Sequence, residues 1–361
     1  MKREIEIKFE RVKKLIEEKK VNGILINKVS NFAWFTGGKI NYVALNTEFG
    51  VCKLLITKEK IFYLTNNIEE SRLSEEELEN FGFEPIVEKW YEEKLDEKIK
   101  KIVSGKIGSD ILSQDYIFLN IENLHFPLLK EEIERYKKLG KETTEIMTKI
   151  CKEIKPEDRE IEIAGKLSEN LWRRNIIPIV ILIASDDRIE KYRHPIPKDK
   201  KIKKYVMVIL CARRDGLIVS LTRLVHFGKL SEELNKKHLA VCKIDATLIN
   251  STRKYKKVGE VFMEGVKMYE NLGYKNEWQK HHQGGPTGYL TRYFKAKKEI
   301  KEIITENQAY AWNPSITGTK SEDTIITTES QPIILTEDKN WPLLKIEIDG
   351  NEINRPAILV K

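Results

Sequence analysis

Six histidines occur in the 361-residue chain, and three of them stand where proton chemistry is conceivable. His281 and His282 are adjacent and lead into Gln283-Gly284-Gly285. Imidazole is the side chain that changes charge near neutral pH, and two glycines let the backbone pass close to a ligand or a neighbouring strand. A structural bulge is the plainer reading of the same residues. His194 lies in Tyr192-Arg193-His194-Pro195. It reads either as a proton carrier or as a ring that hydrogen-bonds a turn. Glu322 lies in Lys320-Ser321-Glu322-Asp323-Thr324; its plainer reading is a sheet pairing with Lys320 or Arg223. Arg292, after Tyr289-Leu290, also fits a surface strand. Asp215 precedes Gly216 and reads as a hairpin residue. Trp278 and Trp312 read as core.

The elements that must carry these side chains follow from periodicity. Phe9, Val12, Leu15 and Ile16 share a helical face, Val21-Asn22-Gly23 breaks it, and Ile24-Leu25-Ile26 reads as a buried strand. Strands follow at 51–57 and 61–64, a charged helix at about 71–80, and further strands at 83–87 and from Ile107. This alternation predicts a small α/β domain. Past Phe126-Pro127 the pattern gives one long amphipathic helix over 128–154, stopped by Pro156, and a second over 160–175. Strands at 180–184, 205–212 and 217–224 predict a half-buried antiparallel sheet. Helices at 232–247 and 258–272 follow, the latter capped by Gly273. From Trp278 on the chain is β-rich.

Composition narrows the function classes. Lys and Arg number 64 and Asp and Glu 56, for a net charge of +8. The charges interleave along helices, as solvated faces do. The densest basic run, Lys198 to Lys204, lacks the interleaved aromatics of a single-strand binder. Nucleic acid is therefore not expected as a partner. No apolar run approaches the ~20 residues of a membrane span. The four cysteines are scattered and form no CxxC, which suits a reducing cytoplasm.

One order of segments is recognisable. His194 in its Pro-rich turn precedes the strand Val206 to Ala212, then Ser220-Leu221-Thr222-Arg223, then His281 to Tyr289, then Trp312-Asn313-Pro314, then Lys320 to Thr324. This order resembles the pita-bread family of aminopeptidase P, prolidase, methionine aminopeptidase and creatinase. The opening helix, strand and Thr36-Gly37-Gly38 turn are similar to a creatinase-type N-terminal domain. The resemblance implies an α/β (α+β) protein. A creatinase-like N-terminal domain would span residues 1–127, and a C-terminal pita-bread domain with a curved antiparallel sheet 128–361. It also implies a homodimer.

The metallopeptidases of that family hold two divalent metals with two Asp, one His and two Glu, so that a shared water ionises near neutral pH. Carried over by position, the first Asp falls on Ile209 and the second, eleven residues on, on Ser220. The His falls on Gly285 and the first Glu on Asn313. The last Glu is kept as Glu322. Ile and Gly offer no side-chain ligand, and one carboxylate does not neutralise two dications. The expectation is a protein with no metal cofactor.

The family's proton-handling histidines are partly kept: His194 and His281 match two of them, and Arg292 falls on a third. Lys320 falls where aminopeptidase P relatives carry Arg. Creatinase is the family precedent for metal-free hydrolysis, and the position of its working His matches His194. The resemblance therefore implies His194, His281 and Glu322 as catalytic residues and Arg292, Lys320 and His282 as substrate-binding residues. Such a cleft favours an anion, for instance a substrate carboxylate on Arg. A small amide-like or guanidino substrate, or a short peptide, is expected. The rival reading is a non-catalytic scaffold that keeps the cleft. A third is a true Xaa-Pro metallo-aminopeptidase with displaced ligands.

Overall fold

A computed structural model describes residues 2–92 and 94–361. The chain divides into two compact units, one ending at Glu132 and the other starting at Ile133.

In the first unit, α1 (Lys2–Lys19) buries Val12 and Ile16 and begins well before Phe9. β1 (Gly23–Lys28) has Ile24, Leu25 and Ile26 fully buried. α2 (Val29–Phe35) ends in the turn where Gly37 and Gly38 take positive φ. β2 (Phe49–Ile56) and β3 (Ile61–Asn66) form a hairpin. The expected helix over 71–80 is instead a short α3 (Glu70–Arg72) opening into a π-turn at Leu73–Glu77, with Leu78 N donating to Leu73 O. The wider turn aligns residues five apart, so that both Leu73 and Leu78 are buried. β4 (Glu84–Glu88), α4 (Leu95–Ile102), β5 (Ile107–Ser109) and β6 (Ile117–Phe118) complete a sheet of order β4-β3-β2-β1-β5-β6. β1–β2 and β2–β3 are antiparallel and the other three pairings parallel.

The second unit begins within α5 (Lys130–Glu153), whose inner stripe holds Tyr136, Leu139, Ile146, Met147 and Ile150. α6 (Glu160–Trp172), β7 (Ile177–Ser185) and the short α7 (Asp187–Lys191) follow. β8 (Tyr205–Arg214) and β9 (Leu217–His226) are joined by Asp215-Gly216, both at positive φ, as a two-residue hairpin requires. α8 (Glu232–Ser251) and α9 (Val258–Asn271) come next. Nine short strands follow: β10 (Gly284–Thr287), β11 (Ala309–Trp312), β12 (Ser315–Ile316), β13 (Thr319–Lys320), β14 (Asp323–Ile326), β15 (Ile333–Ile334), β16 (Leu343–Ile348), β17 (Asn351–Pro356) and β18 (Leu359–Val360). One sheet runs β18-β9-β8-β7, with β18 parallel to β9, and another β10-β11-β14-β15.

β9 is buried at all ten positions, so its sheet is not half-buried as the alternation predicts. β14 and the residue before it bond across β9: Thr222 N donates to Glu322 O at 3.1 Å and Ser220 N to Thr324 Oγ1 at 2.7 Å. α8 and α9 bury Val241, Ile244, Val261 and Phe262 in a core with Trp312, Ile325 and Ile346. Trp312 is fully buried and Trp278 packs against that core edge-on to Phe262, so both are core residues.

Candidate functional site

Lys320 ends β13 and Asp323 begins β14, and the side chains from 320 to 323 meet two different surroundings. Lys320 Nζ lies 2.8 Å from Glu322 Oε2, and Thr222 Oγ1 donates to the same oxygen at 2.7 Å. Arg292 Nη2 lies 3.5 Å from Glu322 Oε1. Burial pushes the Glu322 carboxyl up, but Lys320, Arg292 and these hydrogen bonds outweigh it and hold it below the usual range. Glu322 therefore pairs with Lys320, as its plainer reading has it, while Arg223 goes to Asp323. Arg292 is not a surface strand residue. It reaches a carboxylate that is only 3% exposed.

The odd residues of the segment face a different set. Arg355 Nη2 bridges Asp323 Oδ2 at 2.6 Å and Asp245 Oδ2 at 2.7 Å. Ser321 Oγ donates to Asp245 Oδ2 at 2.6 Å, and Arg223 and Thr336 bond Asp323 Oδ1. Burial raises the Asp245 carboxyl to about 6 against the pull of Arg355. Just ahead, Thr319 Oγ1 lies 2.8 Å from His238 Nδ1, whose other nitrogen donates to Pro356 O at 2.9 Å.

The three histidines come together. His194 follows α7; His281 and His282 follow the 3-10 turn at Glu277–Lys280. His281 Nε2 lies 3.1 Å from His194 Nε2, and the His281 and His282 rings stack with centroids 4.4 Å apart. One ligand atom from each ring falls within 4.8 Å of the others. His281 is buried, His282 half-buried and His194 exposed at the mouth. Burial, then Lys320, lowers the His194 and His281 rings, the latter to about 2. Burial, then Arg292, lowers His282 to about 4. All three are neutral at pH 7 by this reasoning. Glu322 opposes these shifts at His194 and His282 through its charge; its own hydrogen bonds go elsewhere. A cavity of about 10 Å³, room for one water, is lined by His281, Lys320, Arg193 and Ser315.

The remaining positions hold no charge. Ile209 is 2% exposed and packs with Leu182, Met207 and Leu224. Ser220 Oγ donates to Cys211 Sγ at 3.3 Å. Asn313 N donates to Gln283 O, while its buried Oδ1 has no hydrogen-bond partner. Gly285 sits at φ +151°, where a Cβ would fall 2.4 Å from Phe294 O.

The model of metallopeptidase family M24 matches residues 134–329, more than half of the chain. The chain belongs to metallopeptidase family M24. The Creatinase/Prolidase N-terminal domain model matches residues 8–157. Together with its structural neighbours this places the M24 chain with the pita-bread aminopeptidase P and prolidase proteins. It is similar in fold to a prolidase from Pyrococcus horikoshii OT3, at 18% identity and TM-score 0.78, covering 92% of this chain and 98% of that one. An Xaa-Pro dipeptidase from Bacillus anthracis gives 17% and 0.76, over 99% and 100%. The N-terminal domain of FACT complex subunit SPT16 from Cicer arietinum (chickpea) gives 13% and 0.70, over 91% and 94%. No curated protein sequence matches the chain.

The M24 name implies metal ions, so the donor set matters. Glu322, with two cations and a hydroxyl on it, Ser220, Asn313 and a side-chain-free Gly285 do not fit a pair of divalent cations. The three-histidine group is the one described cluster able to hold a metal ion, so the expectation of no metal cofactor has a counter-indication in these rings. The sequence shows Arg223 only as a possible partner of Glu322, not of Asp323, and does not single out Thr222, Asp245, Asp323 or Arg355. Thr222 carried a faint signal, being two residues from Ser220 on one strand face. Arg355 carried none. Among the described residues no helix is long and apolar enough to cross a membrane.

Proposed function

We propose that this M24 chain hydrolyses a carbon–nitrogen bond in a small, carboxylate-bearing amide-like or guanidino substrate by imidazole proton transfer, without the family's metal pair. One observation carries the reading: Glu322 is ion-paired with Lys320 and Arg292. The inner charge is then one carboxylate against two cations, which favours an anionic ligand. Arg292 and Lys320 hold the substrate carboxylate, and Glu322 fixes both. His194, at the mouth, takes a proton from water as its oxygen adds to the substrate carbon. The C–N bond breaks, and the proton passes to the leaving nitrogen. His281, within hydrogen-bond distance of His194, orients that ring and polarises the reacting group. His282 borders the substrate. The protein is placed in the cytoplasm as a homodimer on this reading, with no nucleic-acid or membrane partner.

The test is metal analysis of untagged protein with Mn²⁺ and Co²⁺ titration, followed by assay of Xaa-Pro dipeptides and guanidino and amide acids. Parent turnover that His194→Ala and His281→Ala each lower at least a hundredfold is the expected result. Two tightly bound Mn²⁺ per chain would return it to the metallo-aminopeptidases with displaced ligands. No turnover, with carboxylate binding kept, would make it a binding protein on a peptidase fold. The likeness to a subunit of a complex is the observation that favours this second reading.

A further inference from the structure

We propose that His194, His281 and His282 form a binding site for a single borderline divalent ion such as Zn²⁺, and that the ion there switches the cleft off. The site stands on geometry. Two nitrogens each ~2.0–2.1 Å from a tetrahedral Zn²⁺ lie about 3.3 Å apart, and His194 Nε2 and His281 Nε2 are already 3.1 Å apart. The third ring offers a nitrogen within 4.8 Å of both. That ring stacks on His281, with centroids 4.4 Å apart. The Nδ1 atoms of His281 and His282 are buried without hydrogen-bond partners, so no protein group fixes the tautomer of either ring. His194 at the surface gives an entry path.

Three neutral nitrogens select among ions. Imidazole suits Zn²⁺, Cu²⁺, Ni²⁺ and Co²⁺; Mn²⁺, Mg²⁺ and Ca²⁺ prefer the oxygens this cluster lacks. Lys320 and Arg292 stand near the rings and oppose any cation, and no carboxylate bonds the rings to raise their basicity. Affinity is thus lower than in a site backed by acidic partners. The site uses none of the five positions to which the family's ligands were carried over. Its inhibitory sense rests on the reading under Proposed function, since coordination ties up the nitrogens that move the proton. Its existence does not.

The experiment titrates Zn²⁺ alone into untagged, chelator-stripped full-length protein against a chromophoric chelator, with Co²⁺ visible spectra recorded in parallel. One Zn²⁺ per chain, at least tenfold weaker in His282→Ala and in the exposed His194→Ala, and tetrahedral or five-coordinate Co²⁺ bands are expected. Lys320→Met is expected to bind at least threefold more tightly. Either no saturable Zn²⁺ site, or affinity equal to the parent's in both histidine variants, overturns the site; circular dichroism confirms that each variant is folded. The sign is read separately. If a substrate is turned over, Zn²⁺ lowers the rate and chelator restores it, and Zn²⁺ activation overturns the inhibitory part. Absence of any turnover sinks the proposed hydrolase and leaves the binding result standing.

Discussion

The segment Lys320 to Asp323 has two faces, and each takes a carboxylate out of water differently. On one face Glu322 meets Lys320, Arg292 and the Thr222 hydroxyl, with rings and a mouth beyond. On the other Asp323 and Asp245 share Arg355, with Arg223 and Thr336 bonded to Asp323 and Ser321 to Asp245. The second set is closed to solvent: Arg355 and Asp245 are buried, and three of the four carboxylate oxygens have a protein partner, Asp245 Oδ1 having none. The first is open and carries excess positive charge. A closed set serves structure, because a buried charge is tolerable only when paired. An open one leaves capacity for something from outside.

That contrast can be broken by substitution. The largest expected effect is Arg355→Met, which strands the buried Asp245 and leaves Asp323 paired with Arg223 alone, and should cost about 3–5 kcal/mol in urea unfolding. A loss under about 1 kcal/mol would mean the network is not structural. Next comes a double-mutant cycle on Lys320→Met and Glu322→Gln. Its coupling should be about 0.5–3 kcal/mol, and smaller than the cost of losing Arg355. An equal or larger value would make the cleft pair as structural as its neighbour behind the strand.

The smallest effect concerns acid. Burial holds His238 neutral down to about 4, below its unfolded value of 6.5. Its contribution to stability is complete above ~6.5 and lost as pH falls through 4, because the unfolded chain takes the proton first. The stability gap between parent and His238→Gln should therefore narrow from pH 6.5 to pH 4. An unchanging gap would contradict a neutral, buried ring.

Much of this was legible before the fold. The hydrophobic periods gave the long helix into the second unit and the β8–β9 hairpin, because both patterns are local. The His281-His282-Gln283-Gly284-Gly285 run advertised an unusual backbone. The order of segments gave the family. What stayed hidden was pairing between residues far apart in the chain. Nothing near Arg355 indicates that it bridges Asp245 and Asp323, since sequence periods report which way a side chain points and not what it meets. The π-turn after α3 was hidden likewise, because its charged residues fit an ordinary helix equally well.

The missing side chain at Gly285 has a consequence for any rebuilding of the site. With no Cβ, the strand backbone has settled against the carbonyl of Phe294, and Ala296 N bonds Gly284 O at 2.8 Å. A histidine at 285 would push a main chain, not a flexible tip. Acids placed at 209, 220 and 313 would therefore not by themselves rebuild a two-ion site, because a histidine at 285 first needs this seam reopened.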